Sequence, residues 1–407
     1  MARGARWTWG AGRSSLVATE SGMDKRKWIM AVAAWSAFPS GAAAEGPPVP
    51  DPDTIAALAH ETMAATGANG LAIAVIDNGE VRSVQTFGLR NAMGDRLTPQ
   101  TIMYGASLTK AVFGYWTAMQ ADKGRIDLDA PLAVRLAKPL PEYGNLDAYG
   151  NWGDLVGEDR WRAITPRHVL NHATGFANFS FLEPDGKLRF HFDPGSRYGY
   201  SGEGIMLLQF ALEADGGARV GDAIAADLFV PLGLKDVGLM WRPEFAANLA
   251  DGWTESGEVE PHDERSRVRM AGSMDISPQA MAAVAAAMVR GYGLSPEMRA
   301  EFARPGMAIT TRTQFPSLQP EAPEAERHAI HAGLGVIAFT GPQGAGWFKG
   351  GHNDSTANMM VCLEAGQHCV VVMANDVRAE RRFPKLIDAL LGPTGMPWRW
   401  EYPGADY

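Results

Sequence analysis

The chain has 407 residues, 46% hydrophobic and 20% charged, with 26 Pro and 46 Gly spread along it and no fixed-period self-similarity. This excludes a disordered tail, a small disulfide scaffold, a collagen and a solenoid. The formal net charge is −9, and once residues 1–44 are set aside 31 basic residues face 44 acidic ones. Such a surface repels nucleic-acid phosphates and anionic membranes alike, so the expected partner is a small molecule and neither nucleic acid nor a bilayer.

At the N-terminus the basic run Asp24-Lys25-Arg26-Lys27 is followed by an apolar stretch over residues 28–38 and by Ala42-Ala43-Ala44. Basic, then apolar, then small is the order of a secretory signal peptide, with cleavage expected after Ala44 and export to the periplasm or medium. The apolar stretch is shorter than the roughly 20 residues that span a bilayer as a helix. Met23 directly precedes the basic run, so the true start is either Met1 or Met23.

Helical spacing over residues 54–65 gives way to the apolar run 71–76, then Asn78-Gly79 and a returning strand over 81–87. This order predicts a helix followed by an antiparallel hairpin. Residues 108–121 predict a buried helix, whereas 141–160, rich in Gly, Asn, Asp, Tyr and Trp, break all periodicity and read as a surface insertion. Helical patterns resume at 166–172, 202–213, 220–228 and 278–289. Strands are expected at 334–339, 358–363 and 369–373, with a closing helix at 384–391. Strands at both ends with helices between predict one antiparallel sheet built from both termini. The division expected is a leader (1–44), a sheet region (45–106 and 270–395), a mostly helical region (107–269) and a C-terminal tail (396–407). The groove between sheet and helices is the expected site.

Ser107-Leu108-Thr109-Lys110 is the only Ser-x-x-Lys in the chain. On a helix the three-residue offset brings the ammonium one turn from the hydroxyl, where a desolvated amine can act as the base that a serine nucleophile needs. The same pattern also suits an N-capping Ser with an exposed Lys. Two further segments bear on the choice: Asp193-Pro194-Gly195-Ser196-Arg197-Tyr198-Gly199-Tyr200-Ser201-Gly202, ahead of an apolar helix, and Trp347-Phe348-Lys349-Gly350-Gly351-His352, ahead of a strand.

In these three segments the sequence resembles the serine β-lactamase and penicillin-binding protein superfamily, most closely class C β-lactamases and the β-lactamase-like family VIII esterases. That family carries Ser-x-x-Lys, then Tyr-x-Asn after a Pro-Gly loop, then Lys-Thr-Gly on an edge strand. Softer matches at residues 164–175 and 229–234 extend the resemblance over about residues 51–395. The resemblance implies an α/β (α+β), β-lactamase/transpeptidase-like fold and a serine hydrolase without metal or cofactor. It implies Ser107 as acylated nucleophile, Lys110 as adjacent base or proton relay, Tyr200 as proton shuttle and Lys349 as the charge that holds the site electropositive. The backbone N–H groups of Ser107 and His352 would form the oxyanion hole, with Gly351 and Gly202 beside the substrate.

Two departures bear on substrate. Gly202 stands where the family has Asn, and Gly350 where it has Thr or Ser. Both lost groups bind features of β-lactams and D-alanyl peptides, while the proton-transfer groups remain. The pattern therefore favours a small acyl ester over efficient β-lactam cleavage. A class C-like β-lactamase, a D-alanyl-D-alanine carboxypeptidase and a non-catalytic peptidoglycan-fragment binder are the alternatives.

Gly199-Tyr200-Ser201-Gly202-Glu203 nearly matches a Gly-x-Ser-x-Gly elbow, but Glu203 breaks it. His168 and His172 stand i, i+4 without the Glu of zinc-protease spacing and read as structural. Cys362 and Cys369 flank Glu364-Ala365-Gly366-Gln367 and should face each other across a hairpin. A two-residue loop would space them widely and a four-residue loop closely, which leaves a disulfide and free thiols both open.

Overall fold

The computed structural model describes residues 49–407, apart from 215, 217 and 218. The expected leader and its cleavage point lie outside them. The first helix, α1 (Pro52–Thr66), starts where Asp51 accepts hydrogen bonds from the Asp53 and Thr54 N–H groups with Pro52 at the first helical position. It ends at Gly67, whose φ of 71° is the left-handed conformation that a helix stop uses. A hairpin follows, β1 (Gly70–Asp77) and β2 (Glu80–Gly88).

The helical region opens with α2 (Leu108–Asp122) and continues through α3 (Pro166–Leu170), α4 (Gly202–Glu213) and α5 (Val220–Ile224). It closes with α6 (Pro278–Arg290) and α7 (Pro296–Phe302). The chain then adds β3 (Met307–Ala308), β4 (Ile330–Ala332), β5 (Ile337–Gly341), β6 (Gly344–His352), β7 (Ala357–Leu363) and β8 (His368–Ala374). Two helices finish it, α8 (Phe383–Leu391) and α9 (Trp398–Glu401). The main sheet is antiparallel, in the order β3-β4-β5-β6-β7-β8-β1-β2, so strands from the two ends of the chain meet where β8 pairs with β1.

The central strands read as unbroken apolar runs because both faces are covered. Successive side chains of a strand point to opposite faces. In β1, Ala72, Ala74 and Ile76 join the core with α2 and α6. Leu71, Ile73 and Val75 join a second core with α1 and α8.

Three expectations need correction. Residues 141–160 are not a surface insertion: Trp152 and Leu155 are fully buried, and Trp152 packs on Phe210 of α4 with ring centroids 5.9 Å apart. They lie in short 3-10 turns, which carry no helical or strand period to read. The strand expected at 334–339 begins only at Ile337, since Leu334 and Gly335 form a turn in which the Gly335 N–H donates to the Leu170 carbonyl. The expected tail, 396–407, is anchored in the core: Met396, Trp398, Trp400 and Tyr402 are buried, and Trp400 Nε1 donates to Thr311 Oγ1 at 3.1 Å.

Cys362 and Cys369 are directly opposed in β7 and β8 and joined as a disulfide, with Cα atoms 4.1 Å apart. Leu363 pairs with His368, so the loop between the strands has four residues, the alternative that brings the cysteines close.

Candidate active site

Ala106, just before α2, has φ 45°, a left-handed conformation that a residue with a Cβ adopts at a cost of about 1–2 kcal/mol. Thr109 holds it there, donating from its N–H at 3.1 Å and from Oγ1 at 2.6 Å to the Ala106 carbonyl. The sharp turn sets Ser107 at the head of α2 without making it a cap: its side chain makes no capping hydrogen bond. Lys110 is 1% exposed. These two facts decide against a capping Ser with a solvated Lys.

Four of the side chains singled out from the sequence converge. Lys110 Nζ donates to Ser107 Oγ at 2.9 Å and also to the Ala271 carbonyl. Tyr200 Oη lies 2.8 Å from Ser107 Oγ, and Lys349 Nζ donates to Tyr200 Oη at 3.4 Å. Burial lowers the Lys110 amine below its usual range, and the neighbouring Lys349 pushes the same way. Burial alone would raise the Tyr200 phenol, but the Lys110 and Lys349 charges and the hydrogen bond with Ser107 outweigh it and bring it to about 7.

Tyr200 is positioned by the loop before α4. The Gly199 N–H donates to the His172 carbonyl, and the His172 ring lies against the phenol ring with centroids 4.3 Å apart. His172 is buried in a left-handed turn beyond the end of α3, so it shares no helix face with His168. Burial first, then Lys349 and Lys110, keep its imidazole well below the ordinary range and therefore neutral. Ser201 caps α4, with Oγ donating to the Ala177 carbonyl and accepting from the Gly204 N–H, so its hydroxyl is fully used.

Lys349 sits on β6, which pairs with β5 only as far as Phe348 and with β7 as far as His352. The end carrying residues 349–352 is thus open on one side, an edge within an otherwise interior strand. Its alternation divides the motif. A Cβ placed on Gly351 would stand 2.8 Å from the Ser107 backbone N, so a side chain there would obstruct that N–H. The Ser107 N–H has no acceptor among the described residues. A Cβ on Gly350 would instead collide with Glu401 Oε1.

The pocket over these groups has a volume of about 600 Å³ and is also lined by Asn178, Phe179, Arg265, Gln314, Phe315 and Glu401. None of these six was singled out from the sequence. Asn178 and Phe179 occupy the neighbourhood of Gly202: Asn178 Oδ1 accepts from the Gly202 N–H at 3.0 Å, and a Cβ on Gly202 would strike the Phe179 ring. His352 Nδ1 lies 2.9 Å from Glu380 Oε1, a contact that raises the partly exposed imidazole to about 9 against the opposing pull of desolvation. Burial raises the Glu401 carboxyl to about 7 against the pull of Lys349 and His352, with Glu380 reinforcing the rise.

The family model described as Beta-lactamase matches residues 55–391. The chain is similar to the octameric penicillin-binding protein homologue from Pyrococcus abyssi, at 17% identity and TM-score 0.65, over 86% of this chain and 79% of that one. It is similar also to the D-alanine carboxypeptidase AmpC from Burkholderia cenocepacia, at 16% identity and TM-score 0.64, over 84% of this chain and 98% of that one. At such identities these two likenesses speak to the fold alone.

Proposed function

The chain belongs to the beta-lactamase family and is a serine hydrolase, and from that premise we propose that it is an exported esterase that cleaves small acyl esters through an acyl-enzyme on Ser107. The observation that carries the reading is the reach of Ser107 Oγ to both Lys110 Nζ, at 2.9 Å, and Tyr200 Oη, at 2.8 Å.

A phenol near 7 is half ionised at neutral pH. In that form Tyr200 accepts the Ser107 hydroxyl proton as Oγ bonds to the acyl carbon. The carbonyl π electrons move onto oxygen, where the Ser107 and His352 N–H groups would stabilise the charge. Collapse of this intermediate expels the alkoxide, which takes the proton from Tyr200. Water then repeats the sequence: Tyr200 accepts its proton, hydroxide attacks the acyl carbon, and Ser107 leaves as its Oγ recovers the proton. Lys110 and Lys349 keep the phenolate accessible by charge, and Lys110 donates to Oγ throughout.

The preference for esters rests on the two glycines. Gly202 and Gly350 offer no side-chain hydrogen bonds to the amide and carboxylate of a β-lactam, and a site lacking such bonds discriminates against those substrates. Export is supported by the order of charges and apolar residues in 1–44 and by the Cys362–Cys369 disulfide, a bond typical of oxidising compartments. No helix among the described residues is long and apolar enough to cross a membrane.

The test is a panel of p-nitrophenyl esters, nitrocefin and D-alanyl-D-alanine peptides, with intact-mass detection of the acyl adduct. Ester turnover with the adduct on Ser107 is the expected result. Faster turnover of nitrocefin or the peptide would reassign the substrate, and a protein inert to esters and to fluorophosphonate would be a binder.

A further inference from the structure

The third motif carries Gly350 where a hydroxyl-bearing residue is expected, and the vacated volume is taken by a group from a distant part of the chain. Glu401 ends the short helix α9, which is anchored by the buried Trp400 between Tyr198 and Phe348, with ring centroids 6.0 and 6.3 Å away. The Gln314 N–H donates to the Trp400 carbonyl at 2.9 Å, and the Gln314 side chain donates to Glu401 Oε2. Glu401 Oε1 has no hydrogen-bond partner among the described residues and points at the space above Gly350, on the wall of the pocket that contains Ser107.

We propose that Glu401 is a specificity-determining residue, excluding substrates that place a carboxylate at this end of the pocket and favouring those that present a neutral hydrogen-bond donor such as a carboxamide there. This rests on the acyl-transfer reading of Ser107. Two carboxylates in one partly dehydrated pocket repel, and like-charge juxtaposition is an effective way to reject a wrong partner. A carboxamide N–H would satisfy Oε1, which is otherwise a lone acceptor facing the pocket. The charged groups around Glu401 are Lys349 and His352 on β6 and Glu380 on the turn before α8. Lys349 is committed to Tyr200 and His352 to Glu380, so neither ion-pairs with Glu401 directly.

The experiment uses an isosteric pair, the p-nitrophenyl esters of glutaric acid, leaving its second carboxylate free, and of glutaramic acid. At about pH 8 Glu401 is ionised, and the native enzyme should prefer the carboxamide ester in kcat/KM by about tenfold or more. Glu401→Gln should shrink that preference by a similar factor, whereas Glu401→Asp, which keeps the charge, should retain most of it. An equal preference in native enzyme and Glu401→Gln, or no preference in the native enzyme, overturns the proposal.

Melting curves identify a variant that fails to fold, in which case the native enzyme's preference and that of Glu401→Asp decide. Intact-mass detection of the Ser107 adduct reports separately on the acyl-transfer reading. If neither ester acylates Ser107, calorimetric binding of 4-carboxyphenylboronic acid against 4-carbamoylphenylboronic acid still tests Glu401: tighter binding of the carboxylate would reject it.

Discussion

One strand serves two walls of the same pocket, and the walls are built by different rules. Towards α2, β6 presents Lys349 and the bare backbone of Gly351 to Ser107, Lys110 and Tyr200, which are joined by hydrogen bonds; Lys110 and Tyr200 are buried and Ser107 is half-buried at the pocket floor. Towards the C-terminal segment it presents Gly350 and His352 to Glu401 and Glu380, where two carboxyl groups meet a partly exposed imidazole. In the proposed mechanism the first wall requires fixed distances, because a proton moves across it. The second requires only a shape and a charge, so unrelated residues can supply them. If this division holds, substitutions on the first wall stop the reaction for every substrate, and substitutions on the second change which substrate reacts.

The largest effect belongs to the first wall. Ser107→Ala removes the proposed nucleophile and should lower kcat by about five to six orders of magnitude, with no fluorophosphonate adduct by mass spectrometry. Lys110→Ala should come within a few orders of that loss for neutral esters and carboxylated esters alike. An adduct on Ser201, or a Lys110→Ala enzyme impaired on one ester class only, would break the division.

The first wall was legible in the sequence for the same reason that it is sensitive. Ser107 and Lys110 are one helical turn apart, which local spacing conveys, whereas Tyr200 and Lys349 are reached through the family resemblance of their segments; Lys349 lies within β6 rather than ahead of a strand as expected. The two-faced apolar strands likewise announced the sheet. The second wall had no such signal: Gly350 was readable as a missing hydroxyl, but what fills the space comes from residue 401, through Trp400 and Gln314. Nothing in the local pattern around Glu401 points to a pocket 51 residues upstream. Asn178 and Phe179 escaped notice similarly, and Trp152 was hidden because 3-10 turns have no period that reveals their buried side.

Tyr200→Phe tests whether the phenol works as a base, with an expected loss of about two to four orders of magnitude in kcat/KM. In the native enzyme kcat/KM should rise as pH increases through about 7, because the deprotonated phenolate is the form that accepts the serine proton. The residual activity of the phenylalanine variant should lack that rise. A rise of the same midpoint in both proteins would assign the titration to another group.

Turnover of nitrocefin sharpens the comparison from the second wall. Two missing recognition groups should leave its kcat/KM at least about a hundredfold below that of p-nitrophenyl butyrate. A cephalosporin rate equal to or above the ester rate would mean that other residues supply the contacts. Asn353 lines the pocket, and the Ser355 and Thr356 N–H groups that donate to its Oδ1 leave its Nδ2 as the group that could donate to a substrate. Arg382 is engaged with Glu61 at 2.9 Å and does not line the pocket.

The smallest effect lies at the rim of the second wall, where Glu380 holds His352 in its charged form. The hydrogen bond to Glu380 raises the imidazole from 6.5 to about 9, so the folded state binds this proton more tightly than the unfolded chain does. The contribution to stability is therefore fully present below about pH 6.5 and is lost as pH rises towards 9. Because the His352 side chain is 43% exposed, solvent screens the pair and the effect should be a small shift in melting temperature. Glu380→Gln should melt below the native protein at pH 6, and the two curves should converge near pH 9.5, about half a unit above the raised imidazole. A difference that persisted or grew above pH 9 would place the role of Glu380 in packing rather than charge, and would leave His352 as a neutral group on the wall that Glu401 defines.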